Sequence, residues 1–96
     1  MTLDDFRSTL TAPHPPADLA PPLHAMWEDA RGNWDAAHTI AQGINGKTGA
    51  WVHAYLHRKE GDSANAAYWY RRAGQPAADD GLNEEWARIV AALLAD

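Results

Sequence analysis

Apolar side chains recur along this 96-residue chain at the spacing of α-helices. Leu23, Met26, Trp27 and Ala30 follow the i, i+3, i+4, i+7 pattern that places side chains on one helical face. The last segment shows the same periodicity in Trp86, Ile89, Val90, Leu93 and Leu94. Because such stripes are buried by packing against one another, the pattern predicts an all-α protein of five or six short helices.

Prolines and capping residues set the first predicted boundaries. A short N-terminal helix is predicted within residues 1–11, where Thr2 can cap and two aspartates follow in the first turn. The proline-rich residues 12–22 lack N–H donors and have fixed φ angles, which predicts an extended connector. The helical core is predicted over residues 23–96, and its first helix starts near Pro21–Pro22, because prolines are tolerated in a first turn.

Glycines and polar residues divide this core into further helices. The predicted boundaries are a stop at Gly32, a cap at Asn33, a turn formed by Asn45, Gly46 and Gly49, a helix from about Ala50 to Glu60, a cap at Asp62, an end at Gly74 and a cap at Asn83. Left-handed glycines end helices, whereas Asn and Asp side chains begin them. The whole chain, residues 1–96, is predicted to be one domain.

The composition explains how so short a chain forms a core. Twenty residues are alanine, and Leu, Ile, Val and Phe together supply only fourteen. Five Trp and three Tyr supply the missing bulk, since each can bury about 150–250 Å². No cysteine is present, which excludes disulfides and zinc sites built on thiolates. The acidic N-terminus does not resemble a secretory signal, and no apolar run has the length of a membrane span, so we predict a cytoplasmic protein.

The charge is distributed unevenly along the chain. The net charge is −5, yet residues 47–72 contain five basic and two acidic residues, a net charge of +3. Both flanking regions are acidic. We call residues 47–72 the basic segment. A segment of this charge favours an anionic partner, but it is too small a footprint on an acidic protein to favour nucleic acid.

Two regions of the chain are similar to each other at an offset of 29 residues, beginning at Gly32 and Gly61. The second region resembles a tetratricopeptide repeat, with small or aromatic packing residues at Ala50, Ala54, Gly61, Ala66, Tyr70 and Ala73. The departures are the short period and the histidines at positions 53 and 57, where that family has Leu and Tyr. The resemblance implies two antiparallel helical hairpins followed by a C-terminal capping helix.

The segment WVHAYLHRKEGDSANAAYWYRRAG, residues 51–74, also resembles the signature stretch of a family of small bacterial proteins. The resemblance extends more loosely to LHAMWEDARGNWDAAH, residues 23–38, and to the helix that contains Trp86. It implies a compact helical bacterial protein. It implies no substrate, cofactor or catalytic residue.

Aromatic and basic side chains alternate in the basic segment. On the fourth predicted helix, Trp51, Tyr55, Arg58 and Lys59 share one stripe, whereas two histidines and Glu60 share another. Aromatic rings beside Arg and Lys can hold a carboxylate or phosphate ligand. We therefore predict a protein-interaction or peptide-binding module for an acidic or carboxylate-bearing partner. The predicted ligand-binding residues are Trp51, Tyr55, Arg58, Lys59, Asn65, Trp69, Arg71 and Arg72. An alternative interpretation places Trp51, Val52, Tyr55 and Leu56 in the core.

Two other functions remain open. His53 and His57, four residues apart, form half of a metal site or supply a general base for a small enzyme, with Glu60 or the pair His24 and Glu28 completing it. Ser8 and Ser63 do not lie in a nucleophile elbow, and the chain has no phosphate-binding glycine loop. The third function is a homo-oligomer closed by exposed Trp side chains. The leading prediction includes no catalytic residue, metal or cofactor.

Overall fold

The computed structural model describes residues 1–95, and this part of the chain contains six α-helices and no strand. The all-α prediction of five or six short helices is confirmed. A 3-10 turn, Thr9–Thr11, follows the first helix. The helices are α1 (Leu3–Ser8), α2 (Pro21–Ala30), α3 (Trp34–Gln42), α4 (Gly46–Glu60), α5 (Ser63–Ala73) and α6 (Leu82–Leu94). The longest of them has 15 residues, and none within residues 1–95 combines the length and apolar character needed to cross a bilayer.

Helix α4 lies at the centre of the fold. It packs against α2, α3, α5 and α6, and the sequential pairs α2–α3 and α4–α5 form the most extensive contacts. Eight of its residues are buried, from Gly49 to His57. A helix that is buried on most sides needs a partner for every polar group it carries. Within residues 1–95, the buried Nδ1 atom of His57 on this helix has no such partner.

The main core lies where α2, α4 and α6 meet. Its largest fully buried side chains include Phe6, Met26, Trp27, Leu56 and Ile89. A second, smaller cluster of Ala54, Ala66 and Tyr70 lies between α4 and α5. The half-buried Trp51 packs against both clusters. Aromatic bulk therefore fills the space that the alanine-rich helices leave.

Several predicted caps form as the sequence indicates. Thr2 accepts a hydrogen bond from the backbone N–H of Asp5, whose carboxylate accepts one from the Thr2 N–H in return. Asp62 accepts from the N–H of Asn65 and begins α5. Gly61 and Gly74 adopt the left-handed conformation at the ends of α4 and α5. These local signals are readable because each cap involves residues close together in sequence.

Three predicted boundaries are wrong or incomplete. Helix α4 begins at Gly46, one turn before the predicted Ala50, so Gly49 lies inside the helix. Asn33 occupies the N-cap position of α3, but its side-chain amide donates to Glu28 Oε1 and caps no helix. The N-cap of α6 is Gly81, and Asn83 is the second residue of that helix.

Two buried carboxylates hold the outer helices against α4. Asp29 of α2 accepts hydrogen bonds from the Tyr55 hydroxyl and the Lys59 ammonium, both at 2.9 Å. Glu85 of α6 is fully buried and accepts from Arg58 Nη1 at 2.7 Å. The Tyr70 hydroxyl also donates to Glu85, which ties α5 to the same group. We call these two carboxylates with their partners the acid clamps.

The acid clamps raise the pKa values of the two tyrosines that they contain. Burial raises the pKa of Tyr55 above its usual value, and the adjacent Asp29 carboxylate raises it further. Burial and the hydrogen bond to Glu85 raise the pKa of Tyr70 in the same way. Both tyrosines therefore remain protonated hydrogen-bond donors at neutral pH.

We expect Glu85→Ala to lower the free energy of unfolding by about 3 kcal/mol, because it leaves Arg58 and the Tyr70 hydroxyl without their buried acceptor. Asp4→Asn is the control, since the Asp4–Arg7 ion pair is exposed and 3.9 Å long. That variant should change stability by less than about 1 kcal/mol. Urea unfolding of the two variants measures the difference, and equal losses would contradict the clamp.

We expect Gly49→Ala to destabilise the protein by about 1–3 kcal/mol, although Ala normally favours helix by about 1 kcal/mol. A Cβ on Gly49 would lie 2.9 Å from the Cβ of Ile44 and closer still to its carbonyl oxygen. In the control, Gly43→Ala, the added Cβ meets only an ordinary 3.5 Å contact with the Ile40 carbonyl oxygen. Thermal unfolding of both variants checks the prediction, which fails if Gly49→Ala is as stable as the parent.

Candidate metal centre

Three histidines meet where α3 packs against α4. His53 and His57 lie one turn apart on α4, and His38 comes from α3. The Nε2 atoms of His38 and His53 are 3.0 Å apart. One ring nitrogen of each histidine lies within 4.8 Å of a ring nitrogen of the other two. We call this group the histidine cluster.

The α3–α4 turn brings the cluster together. The connection between the two helices is only three residues long, from Gly43 to Asn45. The absence of a side chain at Gly49 lets this turn lie directly against α4. At its first residue, Trp34, α3 is held against α4, because Trp34 Nε1 donates to the Leu56 carbonyl at 2.9 Å. His38, one turn beyond Trp34, is thereby directed towards α4.

Aromatic rings enclose the histidine cluster on two sides. Trp34 stacks on His38 with ring centroids 4.8 Å apart, and Trp69 of α5 stacks on His53 at 4.0 Å. His53 also stacks on His57 at 4.7 Å. His53 and His57 are 6% and 7% exposed. The rings therefore limit the access of water to the nitrogen atoms.

Burial favours the neutral imidazole form of His38 and His53. Loss of solvent, together with the neighbouring His38 and His57, lowers the pKa of His53 to about 4. Burial is also the largest cause that lowers the pKa of His38, which His57 assists and the carboxylates of Glu60 and Asp35 oppose. A neutral imidazole offers a lone pair on one nitrogen, which is the form that binds a metal ion.

One nitrogen of the cluster has no partner. Nδ1 of His57 is buried and makes no hydrogen bond within residues 1–95. The nearest acid is Glu60, whose Oε1 lies 3.7 Å away. Nε2 of the same ring lies 3.4 Å from the side-chain nitrogen of Asn65. A buried polar atom that has lost water without gaining a partner is rare in proteins and is a common feature of ligand sites.

The donor set suits a transition-metal ion. Zinc binds imidazole nitrogen at about 2.0–2.1 Å, which places two tetrahedral ligands about 3.3 Å apart. The 3.0 Å between His38 and His53 is close to this spacing, and His57 would need to turn inward. Glu60, which forms a second possible ligand group with His57 and Asp62, offers an oxygen at the rim.

Three of the predicted ligand-binding residues are engaged inside the fold. Arg58 and Lys59 bind Glu85 and Asp29 of the acid clamps. Tyr55 is 2% exposed, so its ring lies in the core. The fourth member of that stripe, Trp51, is half-buried between the two core clusters. These four side chains do not form an open basic and aromatic surface.

The other predicted residues lie on α5. Asn65 and Trp69 contact the histidine cluster. Arg72 lies over the rings of Trp69 and Tyr68, at 5.3 and 5.6 Å from their centroids. Arg71 is exposed. The structure thus brings Asn65 and Trp69 to the histidine cluster, places Arg72 over the ring of Trp69 and leaves Arg71 exposed.

His38, the third member of the histidine cluster, was not predicted from the sequence. The pair of His24 and Glu28 was predicted instead, but these side chains bind each other on α2 at 3.1 Å and lie outside the cluster. The short turn after α3 was the feature of the sequence that could have indicated His38. In an antiparallel helical hairpin, residues before the turn lie beside residues after it. Glu60, the other predicted candidate, does lie near His57.

Comparisons with known proteins add no relative. No protein-family model, no curated protein and no solved structure matches this chain.

We expect metal-free protein to lose stability as the pH falls from about 6.5 to 4. The pKa of His53 is about 4 in the folded protein and 6.5 as a model value, so the unfolded chain binds the proton first. This linkage removes on the order of 2 kcal/mol over that interval. Urea unfolding in the presence of chelator measures it. In His53→Gln the stability lost over that pH interval should be smaller by that amount. An unchanged loss would contradict the assignment of this pH dependence to His53.

Proposed function

We propose that this protein binds a divalent transition-metal ion through His38, His53 and His57. The observation that carries the proposal is the convergence of three imidazoles from two helices, with ring nitrogens within 4.8 Å of one another. The unpartnered Nδ1 of His57 supports it. Two imidazole nitrogens 3.0 Å apart are stable only if they share a proton or a metal ion, because two facing lone pairs repel.

Zinc is the metal we propose. Imidazole ligands suit Zn²⁺, Cu²⁺ and Ni²⁺, and Zn²⁺ accepts the irregular geometry of a site that must adjust. Three protein ligands leave a fourth position, which Glu60 or an external molecule can occupy. A zinc ion with an open position polarises its ligand and lowers the pKa of bound water. This is the chemistry that the small-enzyme alternative would need.

A peptide-binding role remains the second candidate. It is favoured by the aromatic and basic face of α5, where Tyr68 is 45% exposed and Arg72 lies over it. With this role we also propose that the protein is related to tetratricopeptide repeats, comes from a bacterium and is located in the cytoplasm. Arg58 and Lys59, the two cations predicted for the α4 part of the binding surface, are engaged in the acid clamps instead.

We expect the protein to bind one Zn²⁺ per chain, as measured by calorimetry on tag-free protein. His38→Ala should weaken binding at least about 100-fold, since the loss of a ligand costs more than the 10–100-fold typical of outer-shell changes. His38 is the best variant because its side chain is only partly buried, so the fold should persist. Circular dichroism checks this.

His24→Ala is the matched control. His24 has the same four-residue spacing to a polar partner on a helix, Glu28, but it lies outside the histidine cluster. The affinity of the His24→Ala variant for zinc should equal that of the parent protein. The proposal fails if the parent binds no zinc, or if the His38→Ala and His24→Ala variants bind it equally.

A further inference from the structure

A cleft of about 330 Å³ opens beside the histidine cluster. It lies between the α3–α4 turn and α5, and His53 and Trp69 form part of its wall. Small-molecule sites begin at about this volume. Since His53 lines both the cleft and the cluster, a molecule in the cleft lies next to the proposed metal ion.

The charged groups of the cleft are all positive. Lys47 and Arg72 line it, and no acidic side chain does. Within residues 1–95 neither cation has a carboxylate within 4 Å. Arg58 and Lys59, by contrast, are neutralised by buried acids. Two uncompensated cations at one cleft of an acidic protein attract an anion from solution.

Arg72 is held in position without losing its charge. Its guanidinium lies 5.3 Å from the ring centroid of Trp69, and Nη1 donates to the Tyr68 hydroxyl at 3.1 Å. These contacts orient the planar group and leave further N–H donors free for an oxyanion. A preoriented arginine loses less conformational entropy on binding than a free one.

The polar lining of the cleft adds donors. Asn45 and Gln42 lie on its rim, and Asn45 makes no capping bond to the first turn of α4. The side-chain amides therefore remain available to an incoming ligand. The backbone N–H groups that open α4 contribute partial positive charge at the same end of the cleft.

We propose that this cleft binds a small oxyanion, the phosphate or carboxylate group of a low-molecular-weight ligand, and delivers one oxygen to the metal ion. Lys47 and Arg72 supply the charge, and Trp69 supplies a flat wall. The contact with the metal rests on the proposed function. The anion site itself is formed by residues that are not metal ligands.

The test uses inorganic phosphate as the probe and Co²⁺ as a paramagnetic substitute for zinc. In Co²⁺-loaded parent protein, phosphate should show enhanced ³¹P relaxation that saturates with protein concentration. The Lys47→Gln/Arg72→Gln variant should bind phosphate at least about tenfold more weakly, since it loses both charge-assisted contacts. Both residues are exposed, so the variant should fold and keep its Co²⁺.

Arg71→Gln is the control, because Arg71 is exposed on the same helix and does not line the cleft. It should retain the affinity of the parent within about twofold. Phosphate binding to metal-free protein is measured in parallel by calorimetry, so that loss of the metal and loss of the anion are seen separately.

The outcomes separate the two proposals. Co²⁺ bound with no phosphate effect, or with an effect that the Lys47→Gln/Arg72→Gln variant keeps, overturns the anion site and leaves the metal site intact. No Co²⁺ bound overturns the proposed function. In that case, phosphate binding to metal-free protein that requires Lys47 and Arg72 would support the anion site alone, and its absence would overturn that site as well.

Discussion

The fold depends on two buried carboxylates that meet adjacent cations at one end of α4. Asp29 and Glu85 are buried to within 2% exposure, and a buried carboxylate is tolerated only when it is paired and hydrogen-bonded. Lys59 binds the first and Arg58 the second. The pairing places α2 and α6 against one side of α4, and so determines which side of that helix remains for other contacts.

The position of the histidine cluster follows from this orientation of α4. Successive residues of a helix turn by about 100°, so when Arg58 and Lys59 face α6 and α2, the side chains of His53 and His57 face α3 and α5. Ala66 of α5 is buried on that side, against Ala54 of α4. Small residues allow helices to approach closely, and the space left between them is filled by aromatic and imidazole rings. The polar cluster therefore occupies the position where a leucine-rich core would otherwise form.

The sequence predicted local features better than contacts between helices. Periodicity located the helices, and the caps at Thr2 and Asp62 formed because their partners lie three residues away. The start of α4 was missed because Gly46 and Gly49 were read as parts of a turn, whereas Gly49 lies inside the helix, where the absence of a side chain admits the backbone of Ile44. His38 was missed because only the register of α3 against α4 brings it to His53. The charges of Arg58 and Lys59 were read as surface because no local pattern reveals a buried acid on a distant helix.

The proposed metal site gives an energetic reason for placing three imidazoles inside a small core. Three imidazoles in a small core displace apolar side chains and contribute less hydrophobic stabilisation. Burial lowers the pKa values of His38 and His53, which makes the fold sensitive to acid because the unfolded chain protonates first. A metal ion that binds only the folded chain reverses this balance, since it adds stability in proportion to its affinity and concentration. The same argument applies to the cleft. Unpaired Lys47 and Arg72 cost little stability on its exposed rim, and they would lower the free energy of an anion bound beside the proposed metal ion.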